Sequence, residues 1–166
     1  HYLSNTATAR MEDAREMVRR FFNAPTVEEI VFTRNATDAI NLVASSFGGM
    51  MIGEGDEIVL SIMEHHSNIV PWHFHRERRG AVLKWAPVSD SGEFLLDEFQ
   101  RMLGPKTKMV AITHMSNVLG TVTPIKDIVR IAHQRNIPVL VDGSQAAVHL
   151  PVDVQDLGVD FYVATG

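Results

Sequence analysis

Apolar positions along the chain follow two spacings that alternate with each other. Between Ser4 and Asn23 they fall at Met11, Ala14, Met17, Val18, Phe21 and Phe22, with Glu12, Arg15, Glu16 and Arg19 on the other side. That is the period of an amphipathic helix, which Asn23-Ala24-Pro25 ends. Glu29 to Thr33 is a short β-branched run that predicts a strand, and Arg34-Asn35-Ala36-Thr37 leads from it into a helix from Asp38 to about Met50. Gly53-Glu54-Gly55-Asp56 turns the chain into a strand from Glu57 to Ile62. Beyond the polar stretch Met63 to Asn68 the pattern predicts a helix from Ile69 to Arg79 and a strand from Ala81 to Val88. Ser89-Asp90-Ser91-Gly92 has the composition of a turn. A short helix follows from Asp97 to Leu103, then a strand from Lys108 to Met115 and a helix from Pro124 to Asn136, with proline near its first turn. Val139 to Val141 and the run at Phe161 complete the strands.

Strand and helix in alternation predict an α/β fold, a mostly parallel sheet with helices on its faces. The sequence shows no internal repeat, linker or low-complexity segment, so one domain is expected. In open α/β sheets ligands collect beyond the carboxyl ends of the strands. Polar groups follow the strands at Asn35 to Thr37, Glu64 to Asn68, His114 to Asn117, Asp142 to Gln145 and Thr165. A topology that brings these loops to one edge builds a small-molecule site.

Each loop has an ordinary reading beside the functional one. Asp142 ends an apolar strand where an acid meets a ligand, yet Asp before Gly143 also caps turns. The helix start at Ala36 and Thr37 offers free N–H groups and a positive dipole end to a phosphate, or is simply capped by Thr37. His65 can lay its ring on a planar ligand or stand solvated, and Asn117 can donate to a ligand oxygen or close its own turn before Gly120. Gly53-Glu54-Gly55 precedes a strand, unlike a dinucleotide fingerprint, and Gly143-Ser144 lacks the flanking pattern of a nucleophile elbow. His73 and His75 are two apart on a helix and point in different directions, so no metal site is expected at the histidine cluster.

Composition narrows the class. The 166 residues carry 15 Lys and Arg against 20 Asp and Glu, a net charge of −5 that gives a nucleic-acid surface no support. With no cysteine in the sequence there is no disulfide, thiolate metal site or cysteine nucleophile within it. No apolar run has the length of a membrane span and nothing reads as a signal peptide, so an intracellular, cytoplasmic protein is the expectation. The chain opens at His1 and closes at Gly166, just past a strand where a site is expected, so part of a longer protein is anticipated.

Four stretches are more specific in combination: Thr33 to Ala44, Met63 to Trp72, His114 to Gly120 and Val141 to Ala146. In order and spacing they closely resemble the SufS-type cysteine desulfurases, which have the class V aminotransferase fold and depend on pyridoxal phosphate (PLP). The resemblance runs from His1 to Gly166. It implies a truncated PLP-binding large domain of the aspartate aminotransferase-like kind. By this resemblance Asp142 faces the pyridine nitrogen and keeps the ring protonated, an electron sink for a substrate carbanion. Gln145 hydrogen-bonds the phenolic oxygen, and His65 stacks on the ring as the catalytic histidine. Asn117 lies near the same oxygen, while Ala36, Thr37 and Thr165 hold the phosphate.

The resemblance further implies L-cysteine as substrate, L-alanine as product, and sulfur passed as a persulfide to an acceptor protein for iron–sulfur cluster assembly, in a homodimer. In the family a His-Lys pair follows the strand that here ends at Thr165-Gly166, and its lysine forms the Schiff base. That lysine and the C-terminal lobe with the catalytic cysteine are absent, so the isolated chain is expected to be inactive. Other class V activities, a selenocysteine lyase or a kynureninase-like hydrolase, share these loops, and a non-catalytic association domain is the alternative from another class.

Overall fold

A computed structural model of the chain describes residues 2–166. Five strands form one sheet: β1 (Glu57–Ser61), β2 (Val82–Ala86), β3 (Thr107–Thr113), β4 (Val139–Asp142) and β5 (Phe161–Val163). Every pairing is parallel, in the order β2-β1-β3-β4-β5. The chain steps outward from β1 to β2, then returns to add β3, β4 and β5 on the other side. The order therefore reverses between β1 and β3, the kind of position where open α/β sheets leave a crevice for ligands.

The inner strands are buried on both sides, which is why they read as continuous apolar runs rather than alternating ones. Val59, Val110, Ile112, Val139 and Val141 face a core built with α5 (Leu96–Met102) and α6 (Ile125–His133), through Phe99, Ile125, Ile128 and Val129. Ile58, Leu60, Met109, Ala111 and Leu140 face the opposite core, with Ile40 of α2 (Ala36–Val43) and Trp72 of α4 (Val70–Arg79). Each inner strand thus sends successive side chains to opposite faces, and helices cover both. α4 has Pro71 in its first turn and stops at Gly80, whose φ of 71° lies in the left-handed region that favours glycine.

Two expectations are corrected. Glu29 to Thr33 is not a strand: Val27–Glu29 is a single 3₁₀ turn, and the residues after it join no ladder. A strand needs a partner as well as β-branched residues, and Val31 and Phe32 stay exposed. The helix expected from Asp38 to Met50 begins at Ala36 and is interrupted by a π-helical turn at Ala44–Gly48 before α3 (Gly49–Met51). There the Ala44 carbonyl is paired with His75 Nε2 at 2.7 Å, so a side chain from α4 compensates the disturbed ladder. The apolar stripe of α1 (Tyr2–Phe22) is present but covers no core, with Met17 65% and Phe21 63% exposed. Two short helices escaped the pattern, α7 (Ala146–His149) and α8 (Val154–Leu157), each a single turn and too brief to show a period.

Candidate functional site

At the carboxyl ends of β1, β3, β4 and β5 lies a cavity of about 270 Å³. Ala36, Thr37, His65, Asn117, Asp142, Gln145 and Thr165 all line it, joined by Asn35, Ser67, Thr113, Met115 and Ser144. Larger hollows beside β5 are bordered by Phe22, Ile30, Val31 and Val163. The acids among their lining residues, Glu28, Glu29 and Asp160, are exposed, whereas Asp142 is only 6% exposed.

Asp142 is placed by the last rung of the β3–β4 ladder, opposite Thr113. Its Oδ1 accepts from the Ser144 N–H at 3.1 Å and from the Ser144 hydroxyl at 2.7 Å. The carboxylate therefore does cap its turn, and the same bonds fix its orientation. Both donors use one oxygen, which leaves Oδ2 for a ligand donor. A buried carboxylate is costly without such a partner.

The start of α2 forms another wall. Asn35 is the cap, its side-chain oxygen accepting from the Asp38 N–H at 2.8 Å, so the expectation that Thr37 caps this helix is corrected. Asn35 has the extended backbone of a cap residue, while Thr37 already lies inside the first turn, and its hydroxyl instead meets the Ser67 hydroxyl at 2.8 Å. The N–H groups of Ala36 and Thr37 belong to the first turn, which has no intrahelical acceptors. They suit an anion.

His65 precedes the 3₁₀ turn His66–Asn68. The Ser67 N–H donates to His65 Nδ1 at 3.2 Å, and the Ser67 hydroxyl lies 3.0 Å from the same atom. Accepting at Nδ1 places the proton of the neutral ring on Nε2. Ser67 thus links the imidazole to the hydroxyl of Thr37. Asn117 and Gln145 are exposed at the rim. Ser116 rather than Asn117 closes the loop after β3, its hydroxyl accepting from the N–H groups of Val118 and Leu119. Beneath Asp142, the Tyr162 hydroxyl meets His114 Nδ1 at 2.9 Å, and burial holds the His114 imidazole below its usual range.

Ser67 and Ser144 carry no distinctive signal in the sequence, since each acts through a neighbour two residues away. The chemistry of the lining is nonetheless specific: a helix start whose first N–H groups suit an anion, a buried acid with one free oxygen, and an imidazole that accepts at Nδ1. Together they fit a flat ring with a basic nitrogen and a phosphate arm, and the cavity is close to the lower end of small-molecule sites, roughly 300 Å³.

The family model described as Aminotransferase class-V matches residues 1–166. The chain is 50% identical over 166 residues to a cysteine desulfurase of Klebsiella pneumoniae (strain 342), covering all of this chain and 41% of that protein. A probable cysteine desulfurase of Halalkalibacterium halodurans is 49% identical over the same span, again with 41% of its length covered. Among solved structures, the cysteine desulfurase CsdA from Escherichia coli superposes with a TM-score of 0.92 at 38% identity, over 96% of this chain and 40% of that one. The chain spans 24 to 41% of the length of the curated relatives it matches.

Proposed function

Since the chain belongs to the aminotransferase class-V family, we propose that its cavity holds PLP and that the chain is the cofactor-holding part of a cysteine desulfurase. The observation that carries this reading is the gathering of seven residues from separate loops around one cavity with a buried acid in its wall. The start of α2 binds the phosphate through the N–H groups of Ala36 and Thr37, with hydroxyls from Thr37 and Thr165. Asp142 Oδ2 holds a proton on the ring nitrogen. His65 offers its ring as a stacking surface, and Gln145 and Asn117 donate to the phenolic oxygen. When bound, PLP supplies an electron sink for charge developing on an amino-acid substrate.

The substrate in this reading is L-cysteine and the product L-alanine, with sulfur leaving as a persulfide to an acceptor protein for iron–sulfur cluster assembly. The thiol that takes the sulfur lies outside these 166 residues, which contain no cysteine. A cytoplasmic homodimer is the setting that fits the reading. No helix among the described residues is long and apolar enough to cross a membrane.

The test is a PLP titration of the purified chain, followed by the circular dichroism that the ring acquires in an asymmetric site. Saturable binding is expected. Asp142→Asn keeps an acceptor for Ser144 but removes the charge, and should weaken binding about ten- to a hundredfold, the range of a hydrogen bond to a charged partner. Absence of saturable binding, or an Asp142→Asn variant that binds like the parent, overturns the reading. Sulfide release from L-cysteine by a protein extended to its relatives' length tests the activity itself.

A further inference from the structure

Glu64 is the residue before His65, yet it does not line the cavity. It is 9% exposed, and no cation pairs with it among the described residues. Three donors from three segments converge on its carboxyl group instead. Oε1 accepts from the Ser61 hydroxyl at the end of β1 and from the Thr113 N–H at the end of β3, the latter at 2.9 Å. Oε2 accepts from Asn68 Nδ2 at 2.7 Å, in the turn that follows His65. Asn68 in turn accepts from the Trp72 indole at 3.1 Å, which anchors the turn in a fully buried ring.

These partners sit where the strand order reverses, so the Glu64 side chain bridges the crevice between β1 and β3. Thr113 is the register partner of Asp142. One carboxyl group thereby connects the loop carrying the imidazole to the strand end that sets the acid. Removing a carboxyl group from water is expensive, and an apolar side chain is often the more stable occupant of such a place. Burial, with the Asp142 charge adding to it, pushes the Glu64 carboxyl up to about 7.

We propose that Glu64 is a positioning residue, fixing the His65 ring relative to Asp142 by tying the His65 loop to the ends of β1 and β3; for ligand binding the proposal rests on the PLP reading of the cavity. Glu64→Gln preserves size but replaces one acceptor oxygen with a donor, so at least one of the three bonds is lost while packing is kept.

Two measurements test it. Without ligand, nitrogen-15 spectra of the histidine rings above pH 8, with His65 assigned through His65→Ala, are expected to show one Nε2–H tautomer in the parent. Glu64→Gln should shift His65 toward a tautomer mixture while the urea midpoint stays within reach of the parent's. With PLP, Glu64→Gln should weaken binding roughly tenfold, about the effect of one hydrogen bond. In a His65→Ala background the same change should cost less than about twofold. An unaltered His65 signal, or losses that multiply in the double variant, overturns the proposal. Should Glu64→Gln fail to fold, Glu64→Asp, which keeps the charge and withdraws it by one carbon, is judged by the same criteria. If the parent chain binds no PLP, the cofactor reading fails on its own, and the ligand-free spectra still decide whether Glu64 positions His65.

Discussion

Replacing Gly143 with alanine would put a methyl group where the Tyr162 ring already lies. A Cβ built on Gly143 overlaps Cζ, Cε1 and the hydroxyl oxygen of Tyr162, far inside the separation at which carbon atoms attract. Gly143 is therefore required for space, and its φ is not in the left-handed region. The ring has little freedom to retreat. Its hydroxyl is held by His114, its ring packs at a tilt against Phe22 with centroids 5.7 Å apart, and its backbone is paired with Val141 across the β4–β5 ladder. Overpacking of this kind costs about 1–3 kcal/mol, and losing the His114 bond adds about 1 kcal/mol. Gly143→Ala should therefore destabilise the chain by about 2–4 kcal/mol, read from urea unfolding by the emission of Trp72 and Trp85. A double-mutant cycle isolates the cause: in a Tyr162→Ala background the same substitution should cost less than about 0.5 kcal/mol. A Gly143→Ala protein as stable as the parent, or an undiminished cost when the ring is gone, would refute the steric argument.

Two further outcomes follow from the site's construction. The folded state raises the Glu64 carboxyl from 4.5 to about 7. The native chain thus binds this proton more tightly than the unfolded one, and the stability it contributes is fully present below pH 4.5 and lost as pH rises through 7. The loss is on the order of 3 kcal/mol. His114, with its imidazole held low, changes stability in the opposite sense below its usual range. The clean measurement is therefore the difference between parent and Glu64→Gln stability from pH 4 to 8, and parallel profiles would remove Glu64 as its source. Asn35→Ala should cost about 1 kcal/mol through the lost bond to the Asp38 N–H, with Asn35→Asp close to neutral. A larger cost for Thr37→Ala in the same urea assay would contradict the assignment of the cap.

What could be seen in the sequence was whatever depends on neighbours along the chain. β1, β3 and β4 are short apolar runs ended by polar residues, and burial on both faces makes such runs unmistakable. Asp142 stands out as an acid directly after Val139-Leu140-Val141, although Asp before Gly143 is also an ordinary turn cap, which the structure shows it to be as well. Ala36 and Thr37 could be recognised as a helix start, although the cap is Asn35, two residues before the expected Thr37, since Asn and Thr are both common cap types. Glu29 to Thr33 carries a strand's side chains without a strand's partner, and only the sheet reveals that Val31 and Phe32 lie beside the outer edge of β5 without pairing to it. The π-helical turn after α2 was hidden because its compensating group, His75, lies 31 residues away.

Glu64 shows where sequence reasoning meets its boundary. An acid between Met63 and His65 in a polar stretch reads as solvated, and its spacing from Ser61 and Asn68 resembles an ordinary turn. Its decisive partner is the Thr113 N–H, 49 residues on. That contact exists because the chain reverses its strand order between β1 and β3 and leaves their ends side by side. The reversal opens the crevice that a ligand needs, and it also leaves a strand-end N–H that needs an acceptor. A carboxyl group serves as that acceptor while keeping the adjacent His65 at the cavity wall, so the same topological feature accounts for the site and for the costly acid behind it.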